Sequence, residues 1–117
     1  MVPARDGSKG LPDKNITNIS GRPLISYAIE PLTKCEKIKS VYLNSNSNKY
    51  LDIGLKWGAK KYKREESISA NDTTMKAVIS DFVNSKIIRK KKVDTLVVLY
   101  PTSPLWSSIK INKIINE

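Results

Sequence analysis

Histidine is absent from the sequence, and cysteine occurs once, as Cys35. The absence of histidine excludes a Cys–His nucleophile and any zinc site that uses histidine. A single cysteine cannot form an intrachain disulfide, which agrees with a reducing compartment. We therefore interpret Cys35 as a small packed residue near the end of a helix, and not as a reactive group.

Long apolar runs are also absent. No stretch of the sequence approaches the roughly 20 apolar residues that a membrane-spanning helix requires. Residues 1–5 show no basic segment leading into an apolar one, so the sequence predicts no secretory signal. From these absences we expect a cytoplasmic protein without membrane contact, with residues 1–117 forming a single domain around a modest core.

Acidic residues are few, since 11 Asp and Glu stand against 21 Lys and Arg, which gives a net charge of +10. Such a charge can indicate a nucleic-acid partner. However, 17 of the basic residues are Lys and only 4 are Arg, the residue that most often reads base edges. The aromatic residues are not interleaved with these charges. We expect anionic small-molecule ligands and no nucleic acid, and keep a basic nucleic-acid-binding module as a third hypothesis.

Apolar periodicity predicts an alternation of helices and strands. Apolar residues at helical spacing predict four helices, over residues 24–35, 50–57, 75–83 and 107–117. Short apolar or edge-strand runs predict three strands, at residues 41–43, 60–63 and 96–99. Asp72 is the expected N-cap of the third helix and Gly58 the stop of the second, although alternation from Leu51 to Trp57 leaves a strand open there. The order is typical of an α/β fold with a mostly parallel sheet.

Polar loops adjoin the predicted strands. They cover residues 4–15, 44–48 and 101–106, and residues 20–23 form a further turn. In α/β sheets the ligand lies beyond the carboxyl ends of the strands. The pattern alone therefore predicts an α/β domain that binds an anionic ligand.

The loop at residues 4–15 carries the most specific chemistry. Its glycines allow tight turns, and successive backbone N–H groups in such a loop can bind an anion. Arg5 offers a planar fork of donors to phosphate, while Lys9 and Lys14 add point charges. The spacing is not that of a Walker A loop. Judged from the residues alone, phosphate binding and a solvated basic loop are equally open.

Residues 3–15 read P-A-R-D-G-S-K-G-L-P-D-K-N. This order resembles the signature loop of the acylneuraminate cytidylyltransferases, the CMP-sialic acid synthetases. Residues 21–25 are similar to that family's G-K-P-L-I, and residues 101–105 to its P-T-S-P-L. Arg64, Asp72 and Thr73 fall where the family has R-P-x-x-L-A-x-D-T. The resemblance is carried by motifs along essentially the whole chain, and it points to the N-terminal half of the family's fold.

The resemblance implies a mostly parallel, Rossmann-like nucleotidyltransferase sheet of the nucleotide-diphospho-sugar transferase type, truncated and incomplete relative to the family at both ends. It implies transfer of CMP from CTP to a sialic-acid-like (nonulosonic) sugar acid with release of pyrophosphate. Mg²⁺ is the expected cofactor, with ligands outside this chain because no D-x-D pair occurs. CTP, the sugar acid and either a second copy or a complementing chain are the expected partners. The alternative is a truncated, non-catalytic member that binds nucleotide or a partner chain.

Site residues are carried over only where the motifs match. Those implied to be catalytic are Arg5 and Lys14. Those implied to bind the nucleotide are Ala4, Arg5, Gly7, Ser8, Lys9, Lys14, Asn15 and Arg64. Those implied to lie on the sugar-acid side are Tyr100, Thr102 and Ser103. No metal ligand is assigned.

Alternatives and departures accompany these assignments. Arg64 could be a surface charge among neighbouring lysines, and Thr102 could belong to a rigid strand exit. Asp6 stands where the family commonly has a small residue. A carboxylate there would repel phosphate unless it points away from the loop's ligand.

Overall fold

The computed structural model describes residues 1–7, 13–70, 72–102 and 107–115. Its strands are β1 (Val2–Pro3), β2 (Asn18–Ile19), β3 (Arg22–Pro23), β4 (Tyr42–Ser45) and β5 (Lys60–Lys63). Its α-helices are α1 (Ser26–Thr33), α2 (Asn48–Lys56), α3 (Met75–Asn84), α4 (Lys86–Arg89) and α5 (Ser108–Ile115). Short 3-10 turns lie at Lys14–Ile16 and Glu66–Ile68. The α/β class predicted from the sequence is confirmed.

A three-stranded parallel sheet forms the centre of the fold. Its strand order is β1-β4-β5, with Val2 opposite Leu43 and Leu43 opposite Lys61. Because the strands are parallel, the chain leaves all three at the same edge of the sheet. The residues that follow β1, β4 and β5 are therefore brought together.

The predicted turn at residues 20–23 is confirmed as the tip of a hairpin. Strands β2 and β3 pair antiparallel, with Ile19 opposite Arg22. Ser20 and Gly21 between them have φ values of 51° and 83°. Positive φ at both positions is the conformation that matches the right-handed twist of paired strands in a two-residue hairpin.

Helix α2 packs closely on β4 because Gly54 has no side chain. A Cβ at Gly54 would lie 2.6 Å from Leu43 Cδ2. Gly58, with φ of 101°, follows the helix end as predicted. The helical interpretation of residues 50–57 is thereby confirmed over the strand alternative.

Buried side chains cover both faces of the sheet, because successive residues of a strand point to opposite sides. One cluster joins the sheet to α1, α2 and α5 and includes Val2, Ile29, Leu43, Leu51 and Ile111. The other joins β4 to α3 and α4 and contains Met1, Tyr42, Val78, Phe82 and Ile88. None of the helices that the structure describes is long and apolar enough to cross a membrane.

The predicted strand at residues 96–99 is wrong, since the structure has no strand there. The segment runs beside β1, where Leu99 N–H donates to Met1 O at 3.1 Å and the Met1 amino group donates to Val97 O at 2.7 Å. No strand is assigned there, because those two hydrogen bonds to one residue do not extend into a ladder. Leu99 is nevertheless buried, as its apolar character predicts.

The predicted N-cap of the third helix is also wrong. Thr74, and not Asp72, caps α3, since its hydroxyl accepts a hydrogen bond from Ala77 N–H at 3.1 Å. Met75 is the first helical residue, so residue 74 is the one whose side chain reaches the free N–H groups of the first turn. The short helix α4 was not predicted; Ser85 caps it with its hydroxyl.

Candidate functional site

A small pocket lies where the chain leaves β1 and β5. Its volume is about 180 Å³, and its polar lining comes from Arg5, Arg64, Thr73 and Tyr100. Arg5 lies two residues beyond β1, and Arg64 directly follows β5. The pocket therefore lies at the carboxyl ends of parallel strands, where α/β sheets commonly bind ligands.

Arg64 is buried at the base of this site, with 3% of its surface exposed. Its Nε donates to Asn44 Oδ1 at 2.9 Å and its Nη2 to Asn44 O at 3.3 Å. Burial, and after it the positive charge of Arg5, lowers the pKa of the Arg64 guanidinium. Both causes disfavour the charged form, whereas a bound anion would favour it by supplying the opposite charge.

Arg5 is held by main-chain carbonyl groups. Its Nη1 donates to Ser69 O at 3.2 Å and to Gly7 O at 3.3 Å. The Asn15 amide donates to Arg5 O at 3.1 Å, which fixes the backbone of the arginine. These neutral acceptors orient the guanidinium without cancelling its charge.

Neither guanidinium has a carboxylate partner. Within the ranges that the structure describes, the four ion pairs involve Arg22, Lys34, Lys49 and Lys61, and none involves Arg5 or Arg64. Asp81 acts on Arg64 only at longer range, where it raises the pKa of the guanidinium against the larger effects of burial and Arg5. Two cations that line one pocket without a carboxylate in ion-pair contact among the described residues form a site suited to an anion. Phosphate fits this arrangement because guanidinium donors form charge-assisted, often bidentate hydrogen bonds with it.

The carboxylate of Asp6 is turned toward α2. Its Oδ1 accepts from the Tyr50 hydroxyl at 3.4 Å, and its N–H donates to Asn46 Oδ1 at 2.8 Å. The same Tyr50 hydroxyl lies 3.0 Å from Asp13 Oδ1. Asp6 does not line the pocket. The Asp6 carboxylate is therefore oriented away from the Arg5–Arg64 pocket, as is required of a carboxylate in a phosphate-binding loop.

The structure brings some of the assigned residues together and leaves others apart. Arg5, Arg64 and Tyr100 share the pocket. Lys14 and Thr102 are exposed and do not line it, while Ala4 is buried with its N–H donating to Asn44 O at 2.9 Å. Ser8, Lys9 and Ser103 lie outside the described residues. The surface-charge alternative for Arg64 is wrong, and the binding roles of all these residues stay predictions.

Three residues that orient side chains around the site were not identified from the sequence. Asn44 and Ser69 supply acceptors to Arg64 and Arg5, and Tyr50 bonds to Asp6. The one available signal was a polar residue, Asn44, at the end of a buried strand, a place where an amide needs a specific partner. Ser69 contributes only its main-chain carbonyl, for which its side chain gives no signal.

A larger cleft, of about 360 Å³, opens at the opposite, amino-terminal edge of the sheet. Its walls are mainly apolar, and Lys37, Lys39, Lys91 and Lys92 line it as well. These lysines are exposed or partly exposed, in contrast to the buried Arg64. Because water and salt screen exposed ammonium groups, these lysines attract a ligand only weakly. We therefore place the candidate site at the smaller pocket.

Comparison with known sequences gives one consistent result. The profile of the family described as Cytidylyltransferase matches residues 1–117. The chain is 34% identical over 106 residues to a pseudaminic acid cytidylyltransferase of Campylobacter jejuni, covering 90% of this chain and 46% of that protein. It is 31% identical over 115 residues to an N-acylneuraminate cytidylyltransferase of Streptococcus agalactiae, covering 97% of this chain and 27% of that protein. The chain thus spans less than half the length of these relatives.

Comparison with solved structures supports the same fold. A CMP:2-keto-3-deoxy-manno-octonic acid synthetase complexed with CTP superposes with a TM-score of 0.78 at 19% identity, covering 98% of this chain and 44% of that one. A cytidylyltransferase from Leptospira borgpetersenii superposes with a TM-score of 0.73 at 21% identity, covering 98% and 45%. At these identities the likeness establishes the fold.

Proposed function

The chain belongs to the cytidylyltransferase family, and from that premise we propose that it serves the transfer of CMP from CTP to a sialic-acid-like (nonulosonic) sugar acid. The observation that carries the proposal is the pair Arg5 and Arg64, which face one pocket without a carboxylate partner among the described residues. A triphosphate supplies the anionic oxygens that such a pair lacks. The names of the relatives supply the sugar-acid class.

In the proposed reaction the anomeric hydroxyl oxygen of the sugar acid attacks the α-phosphorus of CTP. A new P–O bond forms, the bond from the α-phosphorus to the pyrophosphate oxygen breaks, and the hydroxyl proton is released. Transfers of this kind depend on positioning and on neutralising charge at the phosphorus. Arg5 and Arg64 supply positive charge within the pocket. Lys14, which is exposed and outside the lining, is proposed to add its charge from the loop once the triphosphate is bound.

Mg²⁺ belongs to the proposal only as a counter-ion of the triphosphate. Over the described parts of the chain, no three His, Cys, Asp or Glu side chains cluster in a way that could hold a metal ion. The two carboxylates of the loop at residues 4–15, Asp6 and Asp13, both contact the Tyr50 hydroxyl. These residues do not fit a magnesium site, so no step is derived through the ion.

The sugar acid is proposed to approach from the side of Tyr100 and Thr102. Tyr100 lines the arginine pocket, and both residues are exposed. A hydroxyl on each side chain offers hydrogen bonds to a polyhydroxylated acid. Further contacts from a second copy or a complementing chain form part of the proposal.

Isothermal titration of CTP into the purified chain with Mg²⁺ tests the proposal, with ATP, GTP and UTP as controls. We expect CTP to bind in preference to the three controls, since the matched family is described as Cytidylyltransferase. Incubation with CTP and a nonulosonic acid then tests for CMP-sugar.

Binding without product would favour the non-catalytic alternative. Absence of binding to every nucleotide would refute the proposal, and salt-sensitive binding to random oligonucleotides would favour a nucleic-acid module.

A further inference from the structure

Tyr50 stands apart from the other tyrosines because its hydroxyl contacts two carboxylates. The side chain is buried in α2, with 1% of its surface exposed, and its hydroxyl lies 3.4 Å from Asp6 Oδ1 and 3.0 Å from Asp13 Oδ1. A phenol carries one proton, which it must share between these two acceptors. Burial, and then the two carboxylates, raises the pKa of Tyr50, so the hydroxyl keeps that proton.

The two carboxylates differ in what else holds them. Asp13 Oδ2 also lies 3.7 Å from Lys49 Nζ. Asp6 has no ion pair among the described residues, so its carboxylate depends on Tyr50. Loss of the phenol hydroxyl would leave Asp13 with its lysine and release the side chain of Asp6.

A released Asp6 carboxylate would compete with phosphate. Asp6 directly follows Arg5, which lines the pocket and has no ion-pair partner among the described residues. An aspartate and an arginine that approach each other attract strongly in a partly buried site. A carboxylate paired with Arg5 would then have to be displaced before an anion could bind.

We infer that Tyr50 is a positioning residue that holds the Asp6 carboxylate away from the Arg5–Arg64 pocket and so keeps both guanidinium groups available to a phosphate ligand. The inference rests on the proposed function in taking a nucleotide triphosphate as that ligand. The backbone supports the same orientation, since Asn46 accepts from Asp6 N–H and donates to Asp6 O at 3.4 Å.

The test is a double-mutant cycle in CTP affinity, measured by titration of the full chain. We expect Tyr50→Phe to weaken CTP binding by roughly tenfold, the scale of one charge–phosphate interaction near a surface. Asp6→Ala should bind CTP at least as tightly as the native chain. The double variant Tyr50→Phe/Asp6→Ala should bind CTP with the same affinity as Asp6→Ala, because without the Asp6 carboxylate the loss of the hydroxyl frees no competitor for Arg5.

A purely structural role for Tyr50 predicts another pattern. The Tyr50→Phe change would then weaken binding equally in the native chain and in the Asp6→Ala variant, and that result would overturn the inference. Tyr42→Phe, which removes the phenol hydroxyl of a largely buried tyrosine at the start of β4, is the matched control and should leave CTP affinity unchanged.

Failure of the proposed function can be distinguished from failure of the inference about Tyr50. If the native chain binds neither CTP nor pyrophosphate, the proposed function is refuted. The contact of Tyr50 with Asp6 is then judged by the same four variants in urea unfolding. Coupling between the two changes would uphold the carboxylate-holding role, and purely additive effects would overturn it.

Discussion

The two edges of the sheet both carry positive charge but hold it in different ways. At the carboxyl-terminal edge, Arg5 and Arg64 line a pocket of about 180 Å³ and are bound by neutral oxygens of Ser69, Gly7 and Asn44. At the amino-terminal edge, four lysines line a cleft of about 360 Å³ whose walls are mainly apolar. Lys91, the lysine with the clearest contacts there, donates to Ser40 Oγ at 3.4 Å and lies over the Tyr42 ring.

Volume and net charge therefore do not distinguish the candidate site in this molecule. A net charge of +10 is spread over the surface, where salt screens it. What distinguishes the smaller pocket is that its cations are positioned before a ligand arrives and have no carboxylate partner among the described residues. Pre-positioned donors lose little freedom when an anion binds, so they contribute more to its affinity.

Replacing Arg64 with Ala should produce the largest effect, because it removes the buried cation of the pocket. We expect CTP affinity to fall by about 30- to 100-fold, on the scale of one charge-assisted, desolvated hydrogen-bonded pair. Titration calorimetry measures the change, and thermal melting verifies that the variant folds.

Two companions sharpen that result. Arg64→Lys keeps the charge but loses the planar fork of donors. Its affinity for CTP should therefore lie between those of the native chain and the Arg64→Ala variant. Arg89→Ala removes an exposed arginine from the end of α4 and should leave affinity unchanged. Native-like CTP binding by a folded Arg64→Ala variant would contradict the claim that the positioned arginines at the carboxyl-terminal edge bind the anion.

Replacing Asn44 with Ala should have the next largest effect, on stability. The amide is fully buried and supplies an acceptor to the Arg64 Nε, so its removal leaves a buried charged donor without that partner. We expect the free energy of unfolding to decrease by about 1–3 kcal/mol. Urea unfolding measures it, with the exposed Asn84→Ala as control, for which a change below about 0.5 kcal/mol is expected. Equal effects of both changes would mean that Arg64 is not pre-positioned by Asn44.

Local patterns predicted most of the elements. Strand β5 lies at the residues expected for it, 60–63, and the helical spacing of Tyr50, Ile53 and Trp57 gives α2, with Gly58 following its end. These elements depend on periodicity and on caps within a few residues, which a sequence displays directly. The strand expected at residues 96–99 depends instead on how many backbone hydrogen bonds a distant segment provides, and among the described residues that partner is Met1, with two.

The site was predictable to the extent that its residues belong to motifs. Arg5 and Arg64 were assigned from motif positions 59 residues apart, and the parallel strands bring them to one pocket. The contacts that orient them were not predictable, because Arg5 to Ser69 and Tyr50 to Asp6 span 64 and 44 residues and follow from packing. The extent of the domain and the roles of the assigned residues stay predictions.

Removing two lysines from the other edge should have the smallest effect of all. The double change Lys91→Ala/Lys92→Ala lowers the net charge by two but leaves the Arg5–Arg64 pocket untouched. At physiological ionic strength charges more than about 8 Å apart are largely screened, so we expect CTP affinity to change by less than about twofold. Titrations at low and at physiological salt measure it, and a modest loss confined to low salt would agree with long-range attraction alone. A tenfold loss at physiological salt would show that overall charge, and not the arrangement of two arginines, determines where the anion binds.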